Sequence, residues 1–153
     1  MILLMNIFEY KYPSKTWAEP KDFKSLYSDD AIYIMLPRPK PDGNSYQHIA
    51  KLLLQKDASG QITAKSAFLS LGNYDIEDLI SYDAATDTLY YRAYAPSSTN
   101  LHLFSTKGSP TTADVWKCVS CMSANCTYQT NTISPDLNHV VTMCRVSRFL
   151  TNF

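Results

Sequence analysis

Cys118-Val119-Ser120-Cys121-Met122-Ser123-Ala124-Asn125-Cys126, answered by Cys144 at the end of Asn138-His139-Val140-Val141-Thr142-Met143-Cys144, holds all four cysteines of the 153-residue chain. A C-x2-C-x4-C pattern with a distant fourth cysteine admits three disulfide connectivities, and spacing does not choose among them. Loop entropy leans toward a Cys126–Cys144 bond, which would remove roughly 3 kcal/mol of denatured-state entropy in the chain-entropy model, against less for the short Cys118–Cys121 loop. The rival readings are zinc and redox chemistry. C-x2-C suits zinc, but structural zinc sites usually gather two tight ligand pairs; Cys126 and Cys144 are far apart, and no histidine pair completes a set. A thioredoxin-like pair would want a βαβ context, and no such pattern is present. Structural disulfides are the favoured reading, with no metal site expected. Inside the same stretch, Asn125-Cys126-Thr127 is an N-glycosylation acceptor in a secreted chain. Together with the clustered cysteines it points to an oxidising, extracellular compartment.

Composition narrows the class. Fourteen basic residues balance fourteen acidic ones, so no electrostatic footprint for nucleic acid or an anionic membrane surface is visible. Hydrophobic residues make up 45% of the chain, enough for one cored domain rather than a disordered segment. Eleven tyrosines and six phenylalanines against four glycines suit pleated sheet surfaces. The apolar start, Met1 to Phe8, is too short to span a bilayer and lacks the basic region and cleavage site of a signal peptide. It reads as an edge strand or as an arbitrary start in a longer reading frame.

Pro13 and Pro20 make Tyr10 to Asp22 a loop, with Phe23 anchoring its end. Strands are expected at Ala31–Leu36, terminated by Pro37, Pro39 and Pro41, then at Tyr46–Leu54, Gln61–Leu69, Asp75–Tyr82, Thr88–Tyr94, Asn100–Ser105 and Val115–Val119. Thr127–Ile133 and His139–Cys144 form a last hairpin around Ser134-Pro135-Asp136-Leu137-Asn138. Nowhere does an apolar pattern of helical period run for ten residues, so the chain reads as all-β. An acidic turn, an aromatic strand, a proline-bearing loop and a strand carrying His-aliphatic occur at Asp30–Ile49 and again at Asp87–Leu103. Pro135-Asp136-Leu137-Asn138-His139-Val140-Val141 begins a third copy. A period near fifty residues with four strands per unit is the mark of a β-propeller blade.

These residues resemble the extracellular propeller of the dipeptidyl peptidase IV family of serine exopeptidases. The resemblance is carried in order by Trp17-Ala18-Glu19-Pro20 with Phe23, Asp42-Gly43-Asn44-Ser45-Tyr46, Tyr46-Gln47-His48-Ile49, Leu89-Tyr90-Tyr91, Asn100-Leu101-His102-Leu103 and the cysteine cluster. It implies two disulfides, Cys118–Cys121 and Cys126–Cys144. It also implies an N-terminal segment over 1–16, a partial propeller of about two to three antiparallel four-stranded blades over 17–144, and a divergent tail over 145–153. Where the family continues through a Gly-Pro-rich turn, this chain has Arg145-Val146-Ser147-Arg148-Phe149, the pattern expected of a truncated or mis-spliced product.

The same resemblance places the family's Ser-His-Asp triad on an α/β-hydrolase domain downstream of the propeller. None of Gly43, Gly60, Gly72 or Gly108 belongs to a Gly-x-Ser-x-Gly elbow, and no catalytic residue is nominated. His48, His102 and His139 read as strand histidines without an identifiable nucleophile, and the tyrosines as core and cross-strand packing. The family's paired glutamates lie earlier in the propeller, so their role is not transferred to Glu77-Asp78. No arginine matches the family's substrate-facing arginine near Trp17, and Lys15 takes no role. The expected function is a non-catalytic propeller fragment of a dipeptidyl peptidase IV-like serine peptidase, serving substrate access and protein interaction. The alternative is a fragment of an inactive family member acting as an interaction or channel-associated subunit, or, less in keeping with the motifs, a free-standing secreted β-domain. No cofactor is implied. Partners are the remaining blades and hydrolase domain of an extracellular or cell-surface parent, itself expected to be a homodimer, and the parent's peptide substrates. No nucleic acid and no membrane span in this chain are expected. Blades hide their edges by packing around a ring, so the isolated chain is expected to be marginal or aggregation-prone.

Overall fold

The computed structural model describes residues 6–12, 24–109, 116–122 and 125–145. Among them every regular element is a strand, and the strands form three antiparallel sheets. In the first sheet β1 (Ser25–Tyr27), β2 (Ala31–Pro39), β3 (Ser45–Lys56) and β4 (Ile62–Phe68) follow one another as a meander. The second repeats that order with β5 (Ile76–Asp83), β6 (Thr88–Tyr94), β7 (Leu101–Lys107) and β8 (Trp116–Cys118). A third holds β9 (Gln129–Ile133) and β10 (Val140–Cys144). Two four-stranded meanders followed by a two-stranded one are the architecture of a partial β-propeller.

Alternation builds the core. Ala31, Tyr33 and Met35 point inward from β2, and Leu89, Tyr91 and Ala93 from β6, with the residues between them half-buried. These residues join Ile49, Ile76, Leu79 and Phe104 in one hydrophobic cluster drawn from both four-stranded sheets. Tyr33 and Tyr82 meet across the junction with ring centroids 5.1 Å apart, and the Gln47 N–H donates to Asp75 Oδ1 at 2.8 Å. The two sheets therefore share apolar burial and polar stitches alike.

Each acidic turn has a local cause. Asp42, Asp57, Asp83 and Asp136 accept the backbone N–H two residues on, from Asn44, Ser59, Ala85 and Asn138, which mimics a backbone turn within the side chain. Gly43 supplies the positive φ, 82°, that the β2–β3 turn requires.

One expectation needs correction: Pro37 and Pro39 do not end β2, which runs through both. The Leu54 N–H donates to the Asp30 carbonyl, so even-numbered residues of β2 exchange hydrogen bonds with β3. Pro37 and Pro39 then turn their missing N–H positions away from β3. β1 pairs only from Ile32 to Ile34, so no ladder bond is lost on that side, where the Pro37 carbonyl accepts Tyr10 Oη at 2.5 Å. The short β1 was also not anticipated. The Trp17–Pro20 motif, Phe23, Lys15 and the tail beyond Arg145 lie outside the described residues.

Candidate functional site

The repeated His-aliphatic pairs have a structural reason. On β3 the Ile49 N–H donates to Ser70 Oγ at 3.0 Å, and on β7 the Leu103 N–H donates to Ser120 Oγ at 2.9 Å. In both sheets a serine just past the fourth strand thus satisfies a buried backbone donor beside a buried histidine. His48 Nδ1 also lies 3.0 Å from Ser70 Oγ. Both are sealed from solvent, at 0% and 2% exposure, so the pair is no nucleophile and base. His102 is buried on β7, whereas His139 is exposed in the turn before β10.

The cysteines mark the junction between the second and third sheets. The bonded pairs are Cys118–Cys121, with Cα atoms 5.7 Å apart, and Cys126–Cys144, at 5.4 Å. Buried Gln129 donates through Nε2 to the Ser120 carbonyl at 3.0 Å and the Cys126 carbonyl at 2.7 Å. The Leu101 N–H reaches the Thr127 carbonyl at 2.8 Å, beside a parallel bridge from Leu101 to Tyr128. An open groove of about 300 Å³ runs along the junction, lined by Val119, Met122, Gln129, Val140 and Thr142. Met122 at the groove is 92% exposed, and on β10 Val141 and Met143, which alternate with the groove-lining Val140 and Thr142, are 67% and 64% exposed. Asn125 is exposed next to buried Cys126.

The acidic pair on β5 is already occupied. Arg92 Nη2 lies 2.9 Å from Glu77 Oε2 and 3.2 Å from Asp78 Oδ2, and Lys24 Nζ lies 2.9 Å from Asp78 Oδ1. Glu77 and Asp78 are thus tied to local cations rather than held open for a ligand amine. Beside them the Tyr94 hydroxyl is pushed up to about 12, by burial first and then by its hydrogen bond with Tyr128.

The family model for the dipeptidyl peptidase IV (DPP IV) N-terminal region matches residues 7–148. The chain belongs to this family. Dipeptidyl peptidase family member 1 of Caenorhabditis elegans is 32% identical over 139 residues, covering 90% of this chain and 17% of that protein. Inactive dipeptidyl peptidase 10 of Mus musculus is 28% identical over 142 residues, covering 89% of this chain and 17% of that protein. Dipeptidyl peptidase family member 2 of Caenorhabditis elegans is 29% identical over 79 residues, covering 51% of this chain and 9% of that protein. The chain thus spans about a sixth of the length of the first two relatives, within the region the family model describes as N-terminal.

Sequence reasoning picked out the histidines and cysteines of this dipeptidyl peptidase segment but missed Ser70, Ser120 and Gln129. The serines follow their histidines at unequal intervals, 22 and 18 residues on, so no fixed spacing betrays them. Gln129 sits in a short polar strand, Gln-Thr-Asn-Thr-Ile, with no apolar signature of burial.

Proposed function

We propose that this chain supplies two blades and the opening of a third to the propeller of an extracellular dipeptidyl peptidase IV-like protein, where it walls the route of peptide substrates to a hydrolase domain. The observation that carries the reading is the repeated four-stranded meander, each stitched by its own serine beside a buried histidine, in a chain matched over residues 7–148 by the N-terminal-region family. On this reading residues 17–144 are propeller and 145–153 a divergent tail. Removal of N-terminal dipeptides belongs to the parent's hydrolase domain, and the remaining blades are this segment's first partners. Two disulfides and an exposed Asn125 acceptor support an oxidising, glycosylating compartment.

A segment exchange tests this. The chain replaces the matching segment of an active dipeptidyl peptidase of the family. We expect a secreted chimera that cleaves a short dipeptidyl amide with kcat within a few-fold of the parent, while KM for longer peptides shifts. A chimera retained as misfolded protein, or an isolated chain that cleaves by itself, would overturn the reading.

A second reading, a blade set from a catalytically inactive interaction subunit, is favoured by relatives named inactive dipeptidyl peptidase 10 in mouse and rat. A Gly-x-Ser-x-Gly elbow in the downstream reading frame selects the enzyme, and a substituted serine selects the interaction subunit.

A further inference from the structure

The two four-stranded sheets differ at two equivalent positions beside their buried histidines, and the difference has chemical content. Cys118 pairs with Phe104, two residues beyond His102, just as Phe68 pairs with Ala50, two residues beyond His48. Cys118 therefore stands where the first sheet has Phe68, and Cys121 where it has Leu71. In the first sheet the ring nitrogens of His48 lie 3.0 Å from Ser70 Oγ and 3.4 Å from the Gly72 carbonyl. His102 is 4% exposed and its Nδ1 has no hydrogen-bond partner. A buried ring nitrogen left in that condition is costly. What the imidazole faces is sulfur: a ring nitrogen of His102 and the sulfurs of Cys118 and Cys121 all lie within 4.8 Å of one another.

We propose that Cys118, Cys121 and His102 form a zinc site that the Cys118–Cys121 disulfide masks. Two thiolates at C-x2-C spacing and one imidazole are a ligand set that zinc accepts, with a fourth position left for water. Tetrahedral bonds of the usual lengths put ligand atoms roughly 3.3–3.8 Å apart, so the trio closes with a small side-chain shift. Opening the site takes two electrons from a dithiol. One thiolate of the reductant attacks the sulfur of exposed Cys121, forming a mixed disulfide and expelling Cys118 as the thiolate. The reductant's second thiol then attacks its own first sulfur, releases Cys121 and leaves as a cyclic disulfide. The two protons of the reductant end on the two cysteines, and zinc binding displaces both to solvent. The inference is independent of which parent carries the chain.

The test uses the full 153-residue chain, reduced with a dithiol, freed of it under anaerobic conditions, and supplied with zinc ions alone. Iodoacetamide followed by peptide mass spectrometry then reports which thiols the metal shields. Expected are one zinc per reduced chain, none on the oxidised chain, and shielding of Cys118 and Cys121 but not of Cys126 or Cys144. Loss of an outer-shell partner alone typically weakens zinc sites 10–100-fold, so His102→Gln should weaken binding by about tenfold or more. A Cys126→Ser, Cys144→Ser double variant should keep the site. Absence of zinc binding on reduction, equal affinity in His102→Gln, shielding of Cys126 or Cys144 instead, or zinc on the oxidised chain would each overturn the proposal. Unfolding of both four-stranded sheets on reduction, followed in the double variant by its far-ultraviolet β signal, would overturn it as well.

Discussion

Ser70 and Ser120 do the same work in two sheets, and each is the sole hydroxyl bonded to a buried strand N–H at its position among the described residues. Ser70→Ala or Ser120→Ala should lower unfolding free energy by ~1–3 kcal/mol, since the Ile49 or Leu103 N–H is left buried without a partner; urea denaturation checks this, and a neutral result at either position would remove the stitch from the account. Gly108 is held by close approach rather than by a special dihedral. A Cβ there would fall on Asp87 Oδ1 and the Tyr33 hydroxyl, so Gly108→Ala should cost ~1–3 kcal/mol through overpacking, read as a lowered Tm. Titration gives two windows of opposite sign. The Tyr82 phenol is driven up from 10.0, by burial first and then by its hydrogen bond to Asp87. The folded chain then holds a proton that the unfolded chain releases, so this contribution is intact below pH 10 and lost as pH rises beyond it. Tyr82→Phe should show a shallower alkaline loss of stability. The four turn carboxylates are held below 3.8: Asp42 by the Asn44 N–H, Asp57 by the Ser59 hydroxyl, Asp83 by the Thr86 hydroxyl and Asp136 by the Ser134 hydroxyl. Their contribution is present above pH 3.8 and lost as pH falls below it, which carboxyl chemical shifts followed through an acid titration would show. Of this scale the turn aspartates, the histidines and the cysteines were legible because each acts over a few residues or is rare. Ser70, Ser120 and His102's neighbours were not, because the strands that bring them together are distant in sequence.

At the scale of elements, β10 depends on what ties its ends. It pairs with β9 alone, every one of its residues is exposed, and the Cys126–Cys144 bond fastens its last residue to the second sheet's border. Replacing both cysteines by serine should destabilise the β9–β10 hairpin by ~3 kcal/mol in the chain-entropy account. Amide exchange would then quicken in 129–144 while β2, β3, β6 and β7 stay protected; uniform quickening would contradict this division. The outer edge of β10 is also where a second chain would pair. Val141→Lys, at a side chain 67% exposed, should reduce concentration-dependent light scattering without lowering Tm, because it removes exposed apolar surface and adds charge to the edge strand. β3, β6 and β7 were readable from their aliphatic and aromatic residues and from the turns and prolines that bound them. The prolines predict an end at Leu36, whereas β2 runs on to Pro39 because an edge that β1 leaves uncovered accepts them. β1, three residues long, has too little pattern to register at all.

For the whole molecule, two sheets share a single core while the third contributes a hairpin with most of its apolar side chains in solvent. Such an arrangement gains stability from further neighbours, as solenoid and propeller units do, which is why we place this segment within a larger ring. The blade repeat was legible because a turn aspartate followed by a His-aliphatic pair recurs in the same order, Asp30 with His48-Ile49 and Asp87 with His102-Leu103. How the sheets face one another was not, since Tyr33–Tyr82, Gln47–Asp75 and Gln129 with its carbonyls join residues with no shared periodicity. Everything at the third sheet rests on the cysteine pairing, and one measurement reaches it directly: non-reducing peptide mass spectrometry of the chain secreted from a eukaryotic host. The account predicts peptides linked through Cys118–Cys121 and Cys126–Cys144 with no free thiol; crossed pairs, or free Cys126 and Cys144 in a folded product, would contradict it.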